Sequence, residues 1–132
     1  MQSEEIRRKA ATEYAYDGQL FDSKDELCYY IWLKDHNANF TYHPLVKLQY
    51  MHEGKQHFYF PDFIVRNQLV EIKGDHFFKE DGTMQNPYDH RQDGLYEAKH
   101  QCMIANNVKI VMHNECMQFV SYVKQKFGKT FI

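Results

Sequence analysis

The chain has 132 residues, enough for one modest hydrophobic core, and its 43% hydrophobic and 16% aromatic content excludes a disordered polymer. No apolar run approaches the roughly 20 residues needed to cross a bilayer, and no apolar segment follows the charged N-terminus, so neither a membrane anchor nor a secretory leader is expected. The net charge of -2, from 16 Lys and Arg against 18 Asp and Glu, excludes a stand-alone basic nucleic-acid binder. A local basic face, a divalent metal or a partner protein can still supply attraction for nucleic acid.

In chain order, residues 2–13 (QSEEIRRKAATE) read as a short polar helix or a frayed arm, and Asp17-Gly18 as a turn. Ser23 opens a helix from Lys24 to about Asp35, with apolar Leu27, Tyr30, Ile31 and Leu33. After the loop Asn37–Asn39, Phe40 to Tyr50 is a strand broken near Pro44, and His52-Glu53-Gly54-Lys55 is a turn. Gln56 to about Arg66 is a second strand and Leu69 to Lys73 a third. Gly74 to Gly94 is a long polar loop, of a kind that often carries function. A helix from about Leu95 to Ala105 follows, with Ala98, Cys102 and Ala105 as its buried stripe and Asn106-Asn107 as its left-handed end. Val108 to Met112 is a buried strand, and Asn114 caps a last helix, Glu115 to Phe127, closed by Gly128. The order α-β-β-β-α-β-α predicts one mixed α/β domain over 1–132, with an arm at 1–19, a core at about 20–112 and an extra C-terminal helix at 115–127.

Cys28, Cys102 and Cys116 are odd in number and form no C-x-x-C pair, which suits a reducing, cytoplasmic setting and argues against a Cys-rich zinc site. The eight histidines form no H-x-x-x-H or H-E-x-x-H pattern. Tyr29, Tyr30 and Trp32 are expected to pack, as are Met103, Met112 and Met117. Arg7-Arg8-Lys9 is the densest basic run and is expected to be solvated.

The chemistry concentrates in Tyr59 to Gly74. With Asn67 and Gln68 as a two-residue turn, Val65 faces Val70, Phe63 faces Ile72 and Asp62 faces Lys73. One face is then Phe63, Val65, Val70 and Ile72, all apolar; the other gathers Asp62, Glu71 and Lys73. Two carboxylates on neighbouring strands suit a hard divalent cation such as Mg²⁺. The Ile72 carbonyl lies between Glu71 and Lys73 and can add a ligand, while the lysine can orient a water or stabilise charge developing on phosphate. The plain alternative is a surface ion pair of little energetic consequence. Asp75 lies beyond Gly74, where the strand is expected to end.

Pro61-Asp62, with Glu71-Ile72-Lys73 beginning nine residues after Asp62, resembles the signature of the PD-(D/E)XK nuclease superfamily. The expected elements from Ser23 to Met112 are similar to its restriction-endonuclease-like α-β-β-β-α-β core, a mixed central sheet flanked by helices. Tyr42-His43-Pro44 to Tyr50, Gly54-Lys55 and Tyr59 to Phe63 resemble its small single-domain members: transposase endonuclease subunits, phage nucleases and Holliday-junction-resolvase-like proteins. The resemblance implies that Asp62 and Glu71 bind Mg²⁺ or Mn²⁺ and that Lys73 assists the attacking water. It implies that Glu26, on the first helix, joins the metal and catalytic set. Ser23-Lys24-Asp25-Glu26 also fits a capping box, in which Glu26 bonds back to the helix start. It further implies a polar contribution from the second helix, for which Lys99 and Gln101 are candidates. The loop residues His76, Lys79 and Arg91, with Tyr88 and His90, interleave basic and aromatic groups that can clamp phosphates and stack on bases.

The expectation is a metal-dependent endonuclease that hydrolyses DNA phosphodiesters, guided by DNA structure or by a partner protein and possible as a homodimer. Two alternatives stand beside it: a catalytically silent binding or assembly module on the same fold, and a nuclease acting on RNA.

Overall fold

The computed structural model describes residues 5–128. In chain order its strands and helices are β1 (Arg7–Arg8), β2 (Tyr14–Tyr16), β3 (Gln19–Phe21), α1 (Lys24–Asp35), β4 (Phe40–Tyr42), β5 (Leu48–His52), β6 (Lys55–Tyr59), β7 (Phe63–Val65), β8 (Gln68–Lys73), α2 (Asp93–Ala105), β9 (Lys109–Met112) and α3 (His113–Phe127). The class is α/β, with three helices and both mixed and antiparallel sheets. The chain forms two compact units, one from residues 5–38 with 113–128 and one from 39–112. Among the described residues no helix is long and apolar enough to cross a membrane.

In the first unit, α1 starts where the sequence places it. Ser23 is extended, and its hydroxyl accepts the Glu26 N–H at 3.1 Å, satisfying one of the N–H groups that a helix start leaves unpaired. Leu27, Cys28 and Ile31 are fully buried, and Tyr29 and Trp32 pack their rings on Phe119 of α3. Asp35 joins the same two helices by accepting from Tyr122 Oη at 2.7 Å and from Lys126 Nζ at 2.6 Å. The polar arm differs from expectation: Arg7 and Arg8 form a strand against Ala15 and Tyr14, and a hairpin turned at Asp17-Gly18 completes a three-stranded antiparallel sheet. Strands of two or three residues are too short to carry a readable period. Residues 2–4 of that arm lie outside the described residues. Helix α3 begins at His113, so Asn114 lies inside its first turn, and Met117 is 58% exposed instead of packed.

In the second unit, β4, β7, β8 and β9 form a four-stranded sheet in that order; the first three are antiparallel, and β9, reached through α2, runs parallel to β8. The first of the expected strands breaks near Pro44 as the sequence suggests, and the second, expected as continuous, is split as well. Phe40–Tyr50 breaks at His43, which has a left-handed φ of 50°, and at Pro44, which has no N–H to give; Gln56–Arg66 breaks around Pro61. Between the breaks, β5 and β6 pair with each other as a two-stranded sheet and turn at Glu53-Gly54, where both φ are positive. The His43 N–H donates to the Asp62 carbonyl at 2.8 Å, so the two breaks are tied together. Tyr59, Met84 and Met103 form a buried cluster under this hairpin and α2. Of the expected Ala98–Cys102–Ala105 stripe of α2, Cys102 is buried, with Met103 beside it, while Ala98 is half-buried and Ala105 exposed. The long loop is ordered by short 3₁₀ turns at Asp75–Phe77 and His90–Gln92 and by a bridge between Phe78 and Met84. Cys28, Cys102 and Cys116 are all buried thiols.

The β7–β8 turn is Arg66-Asn67, with φ of 50° and 67°, and not Asn67-Gln68. The pairs are therefore Phe63 with Val70 and Val65 with Gln68, a slip of two residues from the expected register. A slip of two leaves each side chain on its own face, because strand side chains alternate with a period of two. Phe63, Val70 and Ile72 are accordingly buried together.

Two positive φ values in succession favour Asn-Gly. Arg66→Asn with Asn67→Gly is expected to raise stability by about 0.5–1 kcal/mol, read as a higher midpoint in thermal or urea unfolding. Gln68→Gly, which places Asn-Gly one residue later, is expected to lower it. A stabilising Gln68→Gly would restore the Asn67-Gln68 turn.

Candidate functional site

β8 extends past β7: its pairing with β7 ends at Val70, while its pairing with β9 continues to Lys73. Beyond that point the backbone of β8 needs other partners on the β7 side. Asp62, just past the Pro61 break, supplies one, because its Oδ2 accepts the Ile72 N–H at 2.8 Å. Continuing the β7–β8 register by one residue sets Asp62 opposite Glu71. The N–H and C=O of one strand residue point toward the same edge, so the Ile72 carbonyl faces the Asp62 side.

Glu71 is 4% exposed, which removes the surface ion pair as an account of it. Its Oε1 accepts from Tyr59 Oη at 2.7 Å. Burial, then the neighbouring Asp62 charge, pushes its carboxyl up from 4.5 to about 8; the Tyr59 hydrogen bond and the Lys99 and Lys73 charges oppose this. Tyr59 is itself raised well above the usual phenol range, by burial and then by Glu71. Lys73 Nζ stands over the Phe77 ring at 4.3 Å and near the Tyr96 ring at 5.8 Å, and these two rings are parallel, 6.1 Å apart. Lys99 Nζ stands 5.2 Å from the Tyr59 ring centre.

Comparison with protein-family models, curated proteins and solved structures finds no match.

The structure thus gathers Asp62, Glu71, Ile72, Lys73 and Lys99. Glu26 belongs to the first unit, in the first turn of α1, where its N–H meets the Ser23 hydroxyl. Gln101 is exposed and donates to Glu97 Oε2 one turn earlier on α2. Lys79 lies 3.8 Å from Asp93, and Arg91 holds Asp89 through Nε at 2.9 Å and Nη2 at 3.2 Å. His76 Nε2 is 3.0 Å from Tyr88 Oη. The residues missed are Tyr59, Phe77 and Tyr96. Tyr59 stands three residues before Asp62, and its only signal is a hydroxyl on an otherwise buried ring, which needs a buried partner.

Among the described residues no group of three or more His, Cys, Asp or Glu side chains is placed to hold a metal ion. Two carboxylates with a backbone carbonyl are nevertheless a sufficient protein share for Mg²⁺, which keeps several waters. The donor chemistry fits, since Asp62 and Glu71 repel each other's ionisation and a divalent cation between them would reverse that.

In metal-free solution Glu71 keeps its proton up to about pH 8 when folded and only to about 4.5 when unfolded. The folded chain holds the extra proton between those values, so this contribution to stability is complete below pH 4.5 and is lost as pH rises toward 8. Glu71→Gln, which keeps an acceptor for Tyr59, is expected to flatten that decline in unfolding midpoints measured across the window in EDTA. An unchanged slope would place the acid elsewhere. Tyr59→Phe is expected to cost about 1–3 kcal/mol by removing the donor to a buried oxygen.

Proposed function

We propose that the chain is a metal-dependent phosphodiesterase, an endonuclease acting on DNA, with its centre at Asp62, Glu71 and Lys73. The observation that carries this reading is the pair of carboxylates at the β7–β8 break, one of them buried, with two ammonium groups beside them. The order of the four-stranded sheet also supports it. Helix α1, then β4, β7 and β8 antiparallel, α2 and parallel β9 follow the α-β-β-β-α-β succession of the PD-(D/E)XK superfamily, with the β5–β6 hairpin inserted after the first strand.

In this reading Asp62, Glu71 and the Ile72 carbonyl would hold Mg²⁺ or Mn²⁺. The bound ion supplies Lewis-acid polarisation of the phosphodiester. Lys73, fixed over the Phe77 ring, orients the water that attacks phosphorus in line and donates to the oxygens on which charge develops. Lys99 contributes a second positive charge for the phosphate from α2. The bond to the 3′ oxygen breaks, leaving 5′-phosphate and 3′-hydroxyl ends as the resemblance implies.

Both carboxylates also have structural duties, Asp62 to the Ile72 N–H and Glu71 to Tyr59. That favours a second reading, in which the pair serves only to assemble the fold of a binding module. Asp62→Asn keeps an acceptor oxygen while removing the charge, and Lys73→Met keeps the stem against Phe77. Each is expected to lower Mg²⁺- or Mn²⁺-dependent cleavage of linear, nicked, flapped and four-way-junction DNA by about 10²-fold or more while circular dichroism stays native. Undiminished cleavage in both variants would refute the site. Calorimetry with Mn²⁺ that shows no binding dependent on Glu71 supports the module, and faster digestion of RNA moves the substrate class.

A further inference from the structure

In the 74–94 loop, Lys79 and Arg91 stand beside Asp93 and Asp89, at 3.8 and 2.9 Å. The loop also presents a ring. Tyr88 is 79% exposed. It is nevertheless held in place. Its hydroxyl lies 3.0 Å from His76 Nε2, and its ring makes T-shaped contacts with His76 at 5.8 Å and 72° and with Phe77 at 6.1 Å and 75°.

The backbone beneath it is equally fixed. The Tyr88 and Asp89 N–H groups both donate to Oδ1 of buried Asn86, at 3.0 and 3.2 Å, and the Asn86 N–H donates to Asp93 Oδ1 at 2.8 Å. Gln85 returns hydrogen bonds to the Phe77 and His76 carbonyls at 2.8 and 3.0 Å. At Gly74 the His76 ring occupies the space a Cβ would need, 2.6 Å from its ideal position, so glycine lets that ring fold back beside the end of β8. The cluster adjoins the candidate centre directly, since the Phe77 ring that touches Tyr88 is the one carrying the Lys73 ammonium at 4.3 Å.

We propose that Tyr88, braced by His76 and Phe77, is a stacking site for one unpaired nucleobase beside the phosphate held at Lys73. An exposed, pre-oriented aromatic face binds any base by stacking and loses little freedom in doing so. Inside a continuous duplex both faces of a base are already covered by its neighbours. A ring on a loop therefore selects a base at a flap, a fork, a frayed end or a single strand. The preferred substrate is then nucleic acid with an unpaired nucleotide next to the scissile bond. This inference rests on the nuclease reading of Asp62, Glu71 and Lys73.

The test compares the wild-type chain with Tyr88→Ala and Tyr88→Phe. Fluorescence anisotropy in EDTA measures affinity for a labelled single-stranded oligonucleotide, a 5′-flap and a blunt duplex of the same sequence, and cleavage of the flap and the duplex is followed with Mn²⁺. The ratio of single-strand or flap affinity to duplex affinity is expected to fall about 10- to 100-fold in Tyr88→Ala and to stay near wild type in Tyr88→Phe. The preference for cutting the flap over the duplex should fall in parallel. Metal-dependent cleavage with the same flap preference in Tyr88→Ala would overturn the stacking site and leave the nuclease reading standing. Wild-type protein that neither binds nor cleaves any of the substrates would overturn both. Equal losses in Tyr88→Ala and Tyr88→Phe would also overturn it, since they would assign the effect to the hydroxyl and not the ring face.

Discussion

The Ile72 N–H on Asp62 Oδ2 is the contact on which the second unit turns. A sheet whose middle strand outlasts one neighbour leaves backbone groups facing nothing, and an unpaired buried N–H costs about as much as a lost hydrogen bond. Here the neighbour ends because Pro61 has no N–H to give to a ladder. Asp62 repairs the edge it helps to create. Its side chain takes the Ile72 N–H, and its own carbonyl takes the His43 N–H, where the adjacent strand has broken as well. The two breaks free β5 and β6 to pair with each other under α2. Asp62 is thereby fixed across from Glu71 by the demands of backbone pairing.

That placement has an electrostatic cost, and the surrounding groups offset it. A buried carboxylate beside another carboxylate holds its proton unless something favours the ionised form. Tyr59, Lys99 and Lys73 all act in that direction on Glu71. Tyr59 does so twice over, donating its hydroxyl to Glu71 and offering its ring to Lys99. Phe77 and Tyr96 do for Lys73 what Tyr59 does for Lys99, holding an ammonium by its attraction to ring faces. The lysines are thus positioned by aromatic groups near the carboxylates whose charge they moderate.

The legible part of the sequence was the part governed by period. The helix at Lys24–Asp35 follows from its cap and its spacing, and the division of Phe63, Val70 and Ile72 from Asp62, Glu71 and Lys73 follows from alternation alone. The turn was misplaced by one residue and the register by two, yet the faces survived, because only an odd slip exchanges them. Breaks were harder to read. Pro44 and Pro61 mark them, but nothing local says that the segments on either side join different sheets; β5 and β6 pair locally, while β4 finds β7 across the whole of that hairpin. The strands β1 to β3, of two or three residues each, lie below the length at which alternation can be distinguished from chance. Tyr59 was invisible as part of the site because a buried tyrosine announces a partner without naming it.

The loop after β8 shows the same difficulty from the other side. Its polar residues look like ligands in the sequence, and in the structure most of them build the loop itself. Asp81 accepts both the N–H and the hydroxyl of Thr83, Asp93 accepts the Asn86 N–H, and Glu97 accepts the Met84 N–H while holding Gln101. A segment of irregular backbone has no ladder of its own, so side-chain carboxylates must satisfy its N–H groups. Carboxylates of the loop also stand beside its cations, Asp93 at 3.8 Å from Lys79 and Asp89 holding Arg91 at 2.9 Å. The exposed Tyr88 ring stands on this ordered backbone, next to the Phe77 ring that carries the Lys73 ammonium, so the physics that orders the loop also decides where that ring is offered.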